Sequence, residues 1–252
     1  MKFEINSVFK KEQSTIVDLI KNFESLVDSV KSGDRNKIKN ASLGNTTLCI
    51  KAFKKPNLFN KIAYTFFRKS KAQRSFEYAN RLLSLGINTP TPIAFFEFKT
   101  NGFLDQSFYI SEQLDCELTY RDLNINLDYP EHENILRAFT RFTHNLHQNN
   151  VLFLDHSPGN TLILKRGNAY QFFLVDLNRM RFGNLSFRSR IYNFKRLSVH
   201  PSLVAVMSDE LSKLYGSDYN EIYKTMWTAT QDFQSHYKRK KRLKKKLKFW
   251  IK

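Results

Sequence analysis

Two carboxylates and one amide stand in the middle of the chain at a spacing that suits phosphate chemistry. Asp155 and Asn160 are five positions apart in the polar segment 153–160, and Asp176 follows the apolar run 172–175. Phosphoryl transfer needs one carboxylate to orient and deprotonate a hydroxyl, and an Asn with a second carboxylate to hold Mg²⁺ against the phosphates. The set fits that chemistry, although an Asp and an Asn at this spacing also occur in ordinary turns.

The residues around Asp155 predict the elements that hold the loop in place. Residues 151–154 and 161–164 are short apolar runs typical of strands, and Pro158 with Gly159 supplies a sharp turn between them. We therefore expect a polar loop pinned between two strands.

A lysine in another apolar run indicates where phosphates could bind. Lys51 interrupts the strand-like segment 47–53, and a lysine in a buried strand is costly unless its ammonium group reaches a partner. The alternative is a solvent-facing lysine that protects an edge strand from pairing with other chains.

The segment 70–86 offers a partner for that lysine. An apolar stripe at helical spacing consists of Phe76, Ala79, Leu82 and Leu83. Gly86 ends the predicted helix, and Glu77 lies on it. A pair between a strand lysine and a helix glutamate orients the lysine on the α- and β-phosphates in kinases. Alone, Glu77 would be an ordinary solvated acid, but its position between Lys51 and the later Asp155, Asn160 and Asp176 favours the pair.

Taken in order along the chain, these residues resemble the active-site set of the protein-kinase-like fold. The set is Lys51, Glu77, Asp155, Asn160 and Asp176. The sequence around them resembles the bacterial lipopolysaccharide core kinases, the Kdo/WaaP family. The resemblance is greatest at 84–93, at the Asp155 loop and at 175–182, and only the combined motifs are specific.

This resemblance implies a kinase that uses ATP and Mg²⁺ to phosphorylate a sugar hydroxyl in the inner core of lipopolysaccharide. It implies that Asp155 is the catalytic base and that Asn160 and Asp176 are the magnesium ligands. It also implies that Lys51, held by Glu77, binds the phosphates of the nucleotide.

Arginines near Asp176 are candidates for binding the acceptor. Arg179 and Arg181 follow it closely, and guanidinium groups suit the carboxylate of Kdo and the phosphates of lipid A. The basic residues in 188–196 fit a generally basic surface equally well.

The sequence also departs from the kinase pattern. The phosphate-covering segment 39–46 contains only Gly44, so hydroxyl and amide donors there would have to replace further glycines. Phe and Leu precede Asp155 where eukaryotic protein kinases carry His and Arg, and Leu-Asn follows Asp176 in place of Phe-Gly. These differences argue against a regulated protein kinase and favour a small-molecule or sugar kinase.

The expected fold is α+β and two-lobed, as in protein kinases. Residues 1–113 would form a small nucleotide-binding lobe, with an antiparallel sheet packed around the Glu77 helix. At its end, backbone groups around Glu112 and Leu114 would bind the adenine of ATP. Residues 114–236 would form a mostly helical lobe for catalysis and acceptor binding, and residues 237–252 a basic amphipathic tail.

Composition limits the other possibilities. With 41% hydrophobic residues in 252, the chain can bury a sizeable core. Cys49 and Cys116 are too few for a disulfide framework and are expected to be free thiols of a reducing compartment. We expect the histidines to be polar helix residues rather than zinc ligands, with His156 lining the mouth of the active site.

The C-terminus carries a dense cluster of positive charge. The chain has 41 Lys and Arg and 23 Asp and Glu, which gives a net charge of +18. Ten of the basic residues follow Tyr237. Apolar residues such as Leu243, Leu247 and Trp250 are interleaved with them, as in helices at the surface of anionic membranes. A nucleic-acid-binding arm and a solvated terminus are the alternatives.

Together these features predict a monomeric kinase of lipopolysaccharide assembly on the cytosolic face of the inner membrane. Its partners would be the lipid A–core precursor and an anionic membrane surface rather than nucleic acid. The alternatives are another small-molecule or protein kinase on the same fold, or a pseudokinase that binds membrane or nucleic acid through its basic surface.

Overall fold

The computed structural model describes residues 1–28, 36–167 and 169–250. The chain forms two compact units. Unit 1 comprises Met1–Asp115 and Phe173–Arg179, and unit 2 comprises Cys116–Phe172 and Met180–Lys252. The chain therefore enters unit 1 a second time, for seven residues that include Asp176.

The strands are β1 (Lys2–Ile5), β2 (Val27–Asp28), β3 (Asn36–Leu43), β4 (Thr46–Phe53), β5 (Pro92–Thr100), β6 (Phe103–Glu112), β7 (Leu118–Thr119), β8 (Val151–Phe153), β9 (Thr161–Arg166), β10 (Ala169–Leu174) and β11 (Met180–Phe182). The α-helices are α1 (Gln13–Lys21), α2 (Leu58–Ile62), α3 (Lys71–Ser84), α4 (Tyr120–Ile125), α5 (His132–Gln148), α6 (Phe187–Tyr192), α7 (Pro201–Tyr215) and α8 (Tyr219–Trp250).

Unit 1 is built on a sheet whose described strands follow the order β1-β5-β6-β4-β3-β2, and its strand pairs are antiparallel. Strand β4 lies inside this sheet, with Lys51 opposite Ile38 on one neighbour and Tyr109 on the other. Lys51 is therefore not an edge-strand lysine, and the protective role considered for it does not apply.

Helices cover the sheet of unit 1 with apolar side chains. In α3, Phe76 packs against Phe95 of β5 with ring centroids 5.6 Å apart. The Ser70 hydroxyl accepts a hydrogen bond from the backbone N–H of Gln73, which caps the helix where it begins.

The first helix is shorter than its apolar pattern predicts. The apolar spacing extends from Ile16 to Val30, but α1 ends at Lys21 and is followed by a 3₁₀ turn, Phe23–Ser25, and by strand β2. The 3₁₀ turn buries Phe23 against Phe108, so tertiary packing satisfies an apolar position that a longer helix would have used. Val30 lies outside the described residues.

The core of unit 2 forms around α5. Its buried face includes Ile135, Phe139 and Leu146, as the helical spacing of apolar residues in this segment predicts. Tyr120 of α4 packs on Phe139 with ring centroids 4.3 Å apart. Helices α7 and α8 add Met207 and Met226 to the same core.

Two short strands of unit 2 lead into and out of the Asp155 loop. Strand β8 precedes the loop and pairs antiparallel with β11, and β9 follows it and pairs antiparallel with β7. The predicted strands on both sides of the loop are thus confirmed.

The structure confirms the predicted α+β class, with an antiparallel sheet and a helix in the N-terminal part and mostly helical structure in the C-terminal part. The last helix, α8, continues into the basic tail as far as Trp250. Within the part of the chain that the structure describes, no helix combines the length and the apolar character that a membrane crossing requires.

Candidate active site

The loop that carries Asp155 is closed by Asn160. Its side-chain Nδ2 donates to the backbone carbonyl of Asp155 at 2.8 Å, and its backbone N–H donates to the Ser157 carbonyl at 2.9 Å. Pro158–Asn160 forms a single 3₁₀ turn in between. Because Nδ2 is used to close the loop, the amide oxygen of Asn160 is the atom of this side chain that can coordinate a cation.

Arg196 fixes the orientation of the Asp155 carboxylate. Its Nη1 donates to Asp155 Oδ1 at 2.8 Å and to the Leu154 carbonyl at 3.1 Å. The guanidinium carbon lies 5.5 Å from the centre of the Phe233 ring of α8. The sequence grouped Arg196 with a generally basic surface, and its role next to Asp155 appears only when the chain is folded.

His156 is buried beneath the loop, so its predicted position at the mouth of the site is wrong. It has no exposed surface and stacks on Phe139 with ring centroids 5.4 Å apart. Its Nε2 lies 3.2 Å from the Thr143 hydroxyl of α5. Burial lowers the pKa of His156 to about 3, so the imidazole is neutral at physiological pH. An aromatic core on one side and a hydroxyl on the other explain this inward position.

A second buried histidine supports the strand that enters the loop. His147 Nε2 lies 3.0 Å from the Asn193 side-chain oxygen, and Asn193 Nδ2 donates to the Phe153 carbonyl at 2.8 Å. Burial also lowers the pKa of His147, to about 4. His147, acting through Asn193, thus supports Phe153 before Asp155, and the buried His156 follows Asp155 directly.

In unit 1, Lys51 and Asp176 form an ion pair. Lys51 Nζ donates to Asp176 Oδ1 at 2.8 Å, and Asn178 Nδ2 donates to the same oxygen at 2.6 Å. The second carboxylate oxygen of Asp176 takes part in neither bond. Asp176 adopts a left-handed backbone conformation with φ of 60°, which Asp and Asn tolerate better than most residues.

The predicted pair between Lys51 and Glu77 is wrong for this structure. Glu77 instead accepts hydrogen bonds from Lys69 at 2.7 Å and from Gln73 at 2.9 Å. Lys69 directly precedes the Ser70 cap of α3, so the chain entering the helix delivers a cation to Glu77. Asp176 supplies the carboxylate that Lys51 requires.

Residues of the 84–93 motif hold the strand that leads to Asp176. The buried Thr89 hydroxyl donates to the Leu174 carbonyl at 2.8 Å, and the Leu174 N–H donates to the Asn88 carbonyl at 3.1 Å. These contacts give the motif a positioning role that its sequence alone did not reveal.

The predicted phosphate-covering loop is a tight hairpin. Strand β3 ends at Leu43 and β4 begins at Thr46, which leaves only Gly44 and Asn45 in the turn. Gly44 has a positive φ of 57°, as expected for a glycine at the first central position of a type II′ turn. Much of the expected loop therefore belongs to strand β3.

The segment expected to bind adenine has most of its backbone donors occupied. The N–H of Glu112 donates to the Thr91 carbonyl at 2.9 Å, and that of Gln113 donates to the Thr47 carbonyl at 2.8 Å. The next backbone N–H along the chain is that of Leu114, whose carbonyl accepts from the Gln113 side chain at 3.3 Å. Among these N–H groups, adenine recognition would fall to that of Leu114.

The two arginines assigned to the acceptor belong to different units. Arg179 is the last residue of the segment that returns to unit 1, and Arg181 lies in β11 of unit 2. Both are exposed.

Comparison with known proteins gives a family and a fold. The model of the lipopolysaccharide kinase (Kdo/WaaP) family matches residues 54–225. A solved structure described as WaaP in complex with acyl carrier protein is similar to this chain with a TM-score of 0.58 and 12% sequence identity. The match covers 95% of this chain and 99% of that chain. At this identity the similarity shows the fold alone, and it agrees with the predicted kinase-like fold. No curated protein sequence matches this chain.

The burial of His147 and His156 predicts that stability depends on pH. Folding lowers the pKa of both from 6.5, so below this pH the unfolded chain binds more protons than the folded protein. The free energy of unfolding should fall as the pH drops from about 6.5 toward 4, by up to ~1.4 kcal/mol per pH unit for each histidine. Urea unfolding at several pH values measures this slope.

His156→Gln should lower stability at neutral pH but flatten the slope, since the group that titrates is gone. His236→Gln, on the exposed part of α8, is the matched control and should retain the wild-type slope. Equal slopes in the wild type and both variants would show that His156 does not contribute.

Proposed function

Because the chain belongs to the lipopolysaccharide kinase (Kdo/WaaP) family, we propose that it transfers the γ-phosphoryl group of ATP to a sugar hydroxyl of the lipopolysaccharide inner core, on Kdo or heptose. The observation that carries this proposal is the fixed Asp155 loop. Arg196 binds the Asp155 carboxylate, and Asn160 closes the loop. Its carboxylate has the chemistry of a general base and is held in one orientation.

Asp155 would accept the proton of the acceptor hydroxyl as the hydroxyl oxygen attacks the γ-phosphorus. The bond between that phosphorus and the leaving oxygen breaks, which releases ADP. Arg196 contributes by positioning, because its Nη1 donates to Oδ1 of the carboxylate and so orients the group toward the acceptor. Since kinases obtain most of their rate from positioning and electrostatics, a rigid base is more useful than a mobile one.

Lys51 would bind the α- and β-phosphates, and its ammonium group is already aligned by a carboxylate. Asp176 and Asn160 offer one carboxylate and one amide oxygen, and Mg²⁺ in kinases prefers such hard oxygen ligands together with phosphates and water. A bound Mg²⁺ would neutralise charge on the phosphates. The left-handed backbone at Asp176, supported by Thr89 and Asn178, directs this carboxylate.

The acceptor is anionic, which gives Arg179 and Arg181 their proposed role. Exposed guanidinium groups form paired hydrogen bonds with carboxylates and phosphates, the groups that Kdo and lipid A present. We propose that the enzyme works as a monomer on the cytosolic face of the inner membrane, where its lipid-linked acceptor is assembled.

Asp155→Asn should reduce the turnover number by at least about 100-fold, because an amide cannot accept the hydroxyl proton. Nucleotide affinity should change little. ADP release with a delipidated inner-core acceptor and ATP titration measure the two quantities. Asp128→Asn, on an exposed loop of the same unit, is the control and should keep wild-type turnover. Wild-type turnover in Asp155→Asn would exclude Asp155 as the base.

Asp176→Asn should weaken magnesium-dependent nucleotide binding while preserving the fold. Asn tolerates the left-handed backbone at this position, whereas Ala would add strain, so the variant tests the charge. The Mg²⁺ concentration needed for half-maximal nucleotide binding should rise about tenfold or more. Asp18→Asn, at an exposed ion pair on α1, serves as the control. An unchanged magnesium requirement would contradict the metal role of Asp176.

Removal of residues 238–252 should weaken membrane binding without unfolding the protein. The core residues contributed by α8 lie between Ile222 and Thr230, and α8 is exposed from Ser235 to Lys244. Ten basic residues are lost, each worth about 1 kcal/mol near an anionic membrane. The melting temperature should stay constant, and binding to anionic vesicles at low salt should fall sharply. Equal vesicle binding by the shortened chain would mean that the tail is not an anchor.

The predicted apolar face of the tail lies mostly beyond the residues whose side chains the structure describes. Leu243 is about half exposed on α8. The predicted positions of Leu247, Trp250 and Ile251 lie outside the described side chains. The tail proposal therefore rests on its charge and on the exposed course of α8.

A further inference from the structure

Unit 1 carries an apolar surface that is exposed to solvent. Helix α2 runs directly into a π-helical turn, Ala63–Phe67. The exposed apolar side chains of this segment, which we name the apolar ridge, are Leu58, Phe59, Ile62, Phe66 and Phe67. Phe59 and Phe67 are each 84% exposed. Contiguous exposed apolar groups of this size indicate an interaction surface rather than ordinary scatter.

The π turn places the ridge residues on one face. The Arg68 N–H donates to the Ala63 carbonyl, five residues earlier, at 2.8 Å. In a continuous α-helix Phe67 would point about half a turn away from Leu58. A π turn has more residues per turn, so each residue rotates through a smaller angle about the helix axis. Phe66 and Phe67 therefore return to the side of the other ridge residues. Single π turns of this kind are frequent at functional sites.

The ridge is held firmly against the sheet of unit 1. The Thr65 hydroxyl donates to the Lys61 carbonyl at 2.7 Å and accepts from the Leu104 N–H of β6 at 3.1 Å. Asp105 pairs with Lys55 at 2.8 Å and lies 3.6 Å from Lys61. Unit 1 therefore presents the apolar side chains outward on an anchored segment.

Positive charge surrounds the ridge. The residues 54–71 contain six basic side chains and no Asp or Glu. They are Lys54, Lys55, Lys61, Arg68, Lys69 and Lys71. Asp105 pairs with Lys55 and Lys61, and Glu77 pairs with Lys69, so the six cations outnumber these two carboxylates.

We propose that the apolar ridge inserts into the headgroup–acyl boundary of an anionic bilayer, with the surrounding lysines and arginine on the lipid phosphates. Aromatic and aliphatic side chains on one side and basic residues at the rim are the composition of helices that lie in a membrane interface. A second copy of the chain suits this surface poorly, since contact through the ridge would bring two basic rims together.

This docking surface is separate from the C-terminal tail and does not depend on catalysis. It extends the proposed function, because a kinase of a lipid-linked sugar gains from a second contact with the membrane. Membrane binding by the tail is mainly electrostatic and weakens with salt. Binding by the ridge is through apolar insertion and persists when charges are screened.

The test is the double variant Phe59→Ser with Phe67→Ser in the full-length chain. Sedimentation with vesicles of phosphatidylglycerol and phosphatidylcholine measures binding at low salt and at about 1 M salt, where charges are screened beyond about 3 Å. At high salt the partition coefficient should fall about tenfold or more, as expected when two aromatic rings lose apolar contact.

The matched control is Val8→Ser with Ile125→Ser, two apolar residues that are 77% and 75% exposed outside the ridge. This variant should bind vesicles as the wild type does. Equal binding by the ridge variant and the wild type at high salt would overturn the proposal. An equal loss of binding in the control variant would also overturn it. So would light scattering that shows a dimer which the ridge variant alone abolishes, with vesicle binding unchanged.

Phosphoryl transfer to a delipidated acceptor separates this proposal from the proposed function. The ridge variant should keep wild-type turnover in that assay, because no bilayer is involved. If the wild type lacks transfer but vesicle binding still depends on Phe59 and Phe67, the kinase proposal fails and the docking surface stands.

Discussion

The position of Asp155 depends on the burial of two neutral histidines. An imidazole in an apolar core must be uncharged and must find a polar partner, and both conditions are met next to α5. His156 faces Thr143 and His147 faces Asn193, whose amide then binds the strand before Asp155. Any shift of the loop would break these contacts inside a packed aromatic core. Asp155 is therefore held by the packing beneath its loop and by the hydrogen bond from Arg196.

The same principle holds in unit 1 through a different interaction. The seven-residue segment that carries Asp176 buries Leu174 and Leu177, and polar contacts add to this packing in fixing its position. Thr89 and Asn88 bind Leu174, and Lys51 and Asn178 bind one oxygen of Asp176. The left-handed backbone of Asp176 is thus maintained by these contacts. Backbone conformations maintained in this way are common at functional sites.

The sequence predicted the strands around the Asp155 loop, the helix of Glu77 and the α+β class, because apolar periodicity and turn residues determine such elements locally. It did not predict the partner of Lys51, the burial of His156 or the contact of Arg196 with Asp155. Each of these depends on which distant side chain the folded chain brings near. Glu77, for example, binds Lys69 and not Lys51, and no local sequence pattern indicates which lysine it binds.

The proposed phosphorylation of a sugar of the lipopolysaccharide inner core can be tested by locating the transferred phosphate. The purified full-length protein, ATP, Mg²⁺ and an unphosphorylated lipid A–core acceptor would be incubated, and the product fragmented by tandem mass spectrometry. We expect one added phosphate on a Kdo or heptose residue. Phosphate on the glucosamines of lipid A, on protein side chains, or on no acceptor at all while ATP still binds would contradict it.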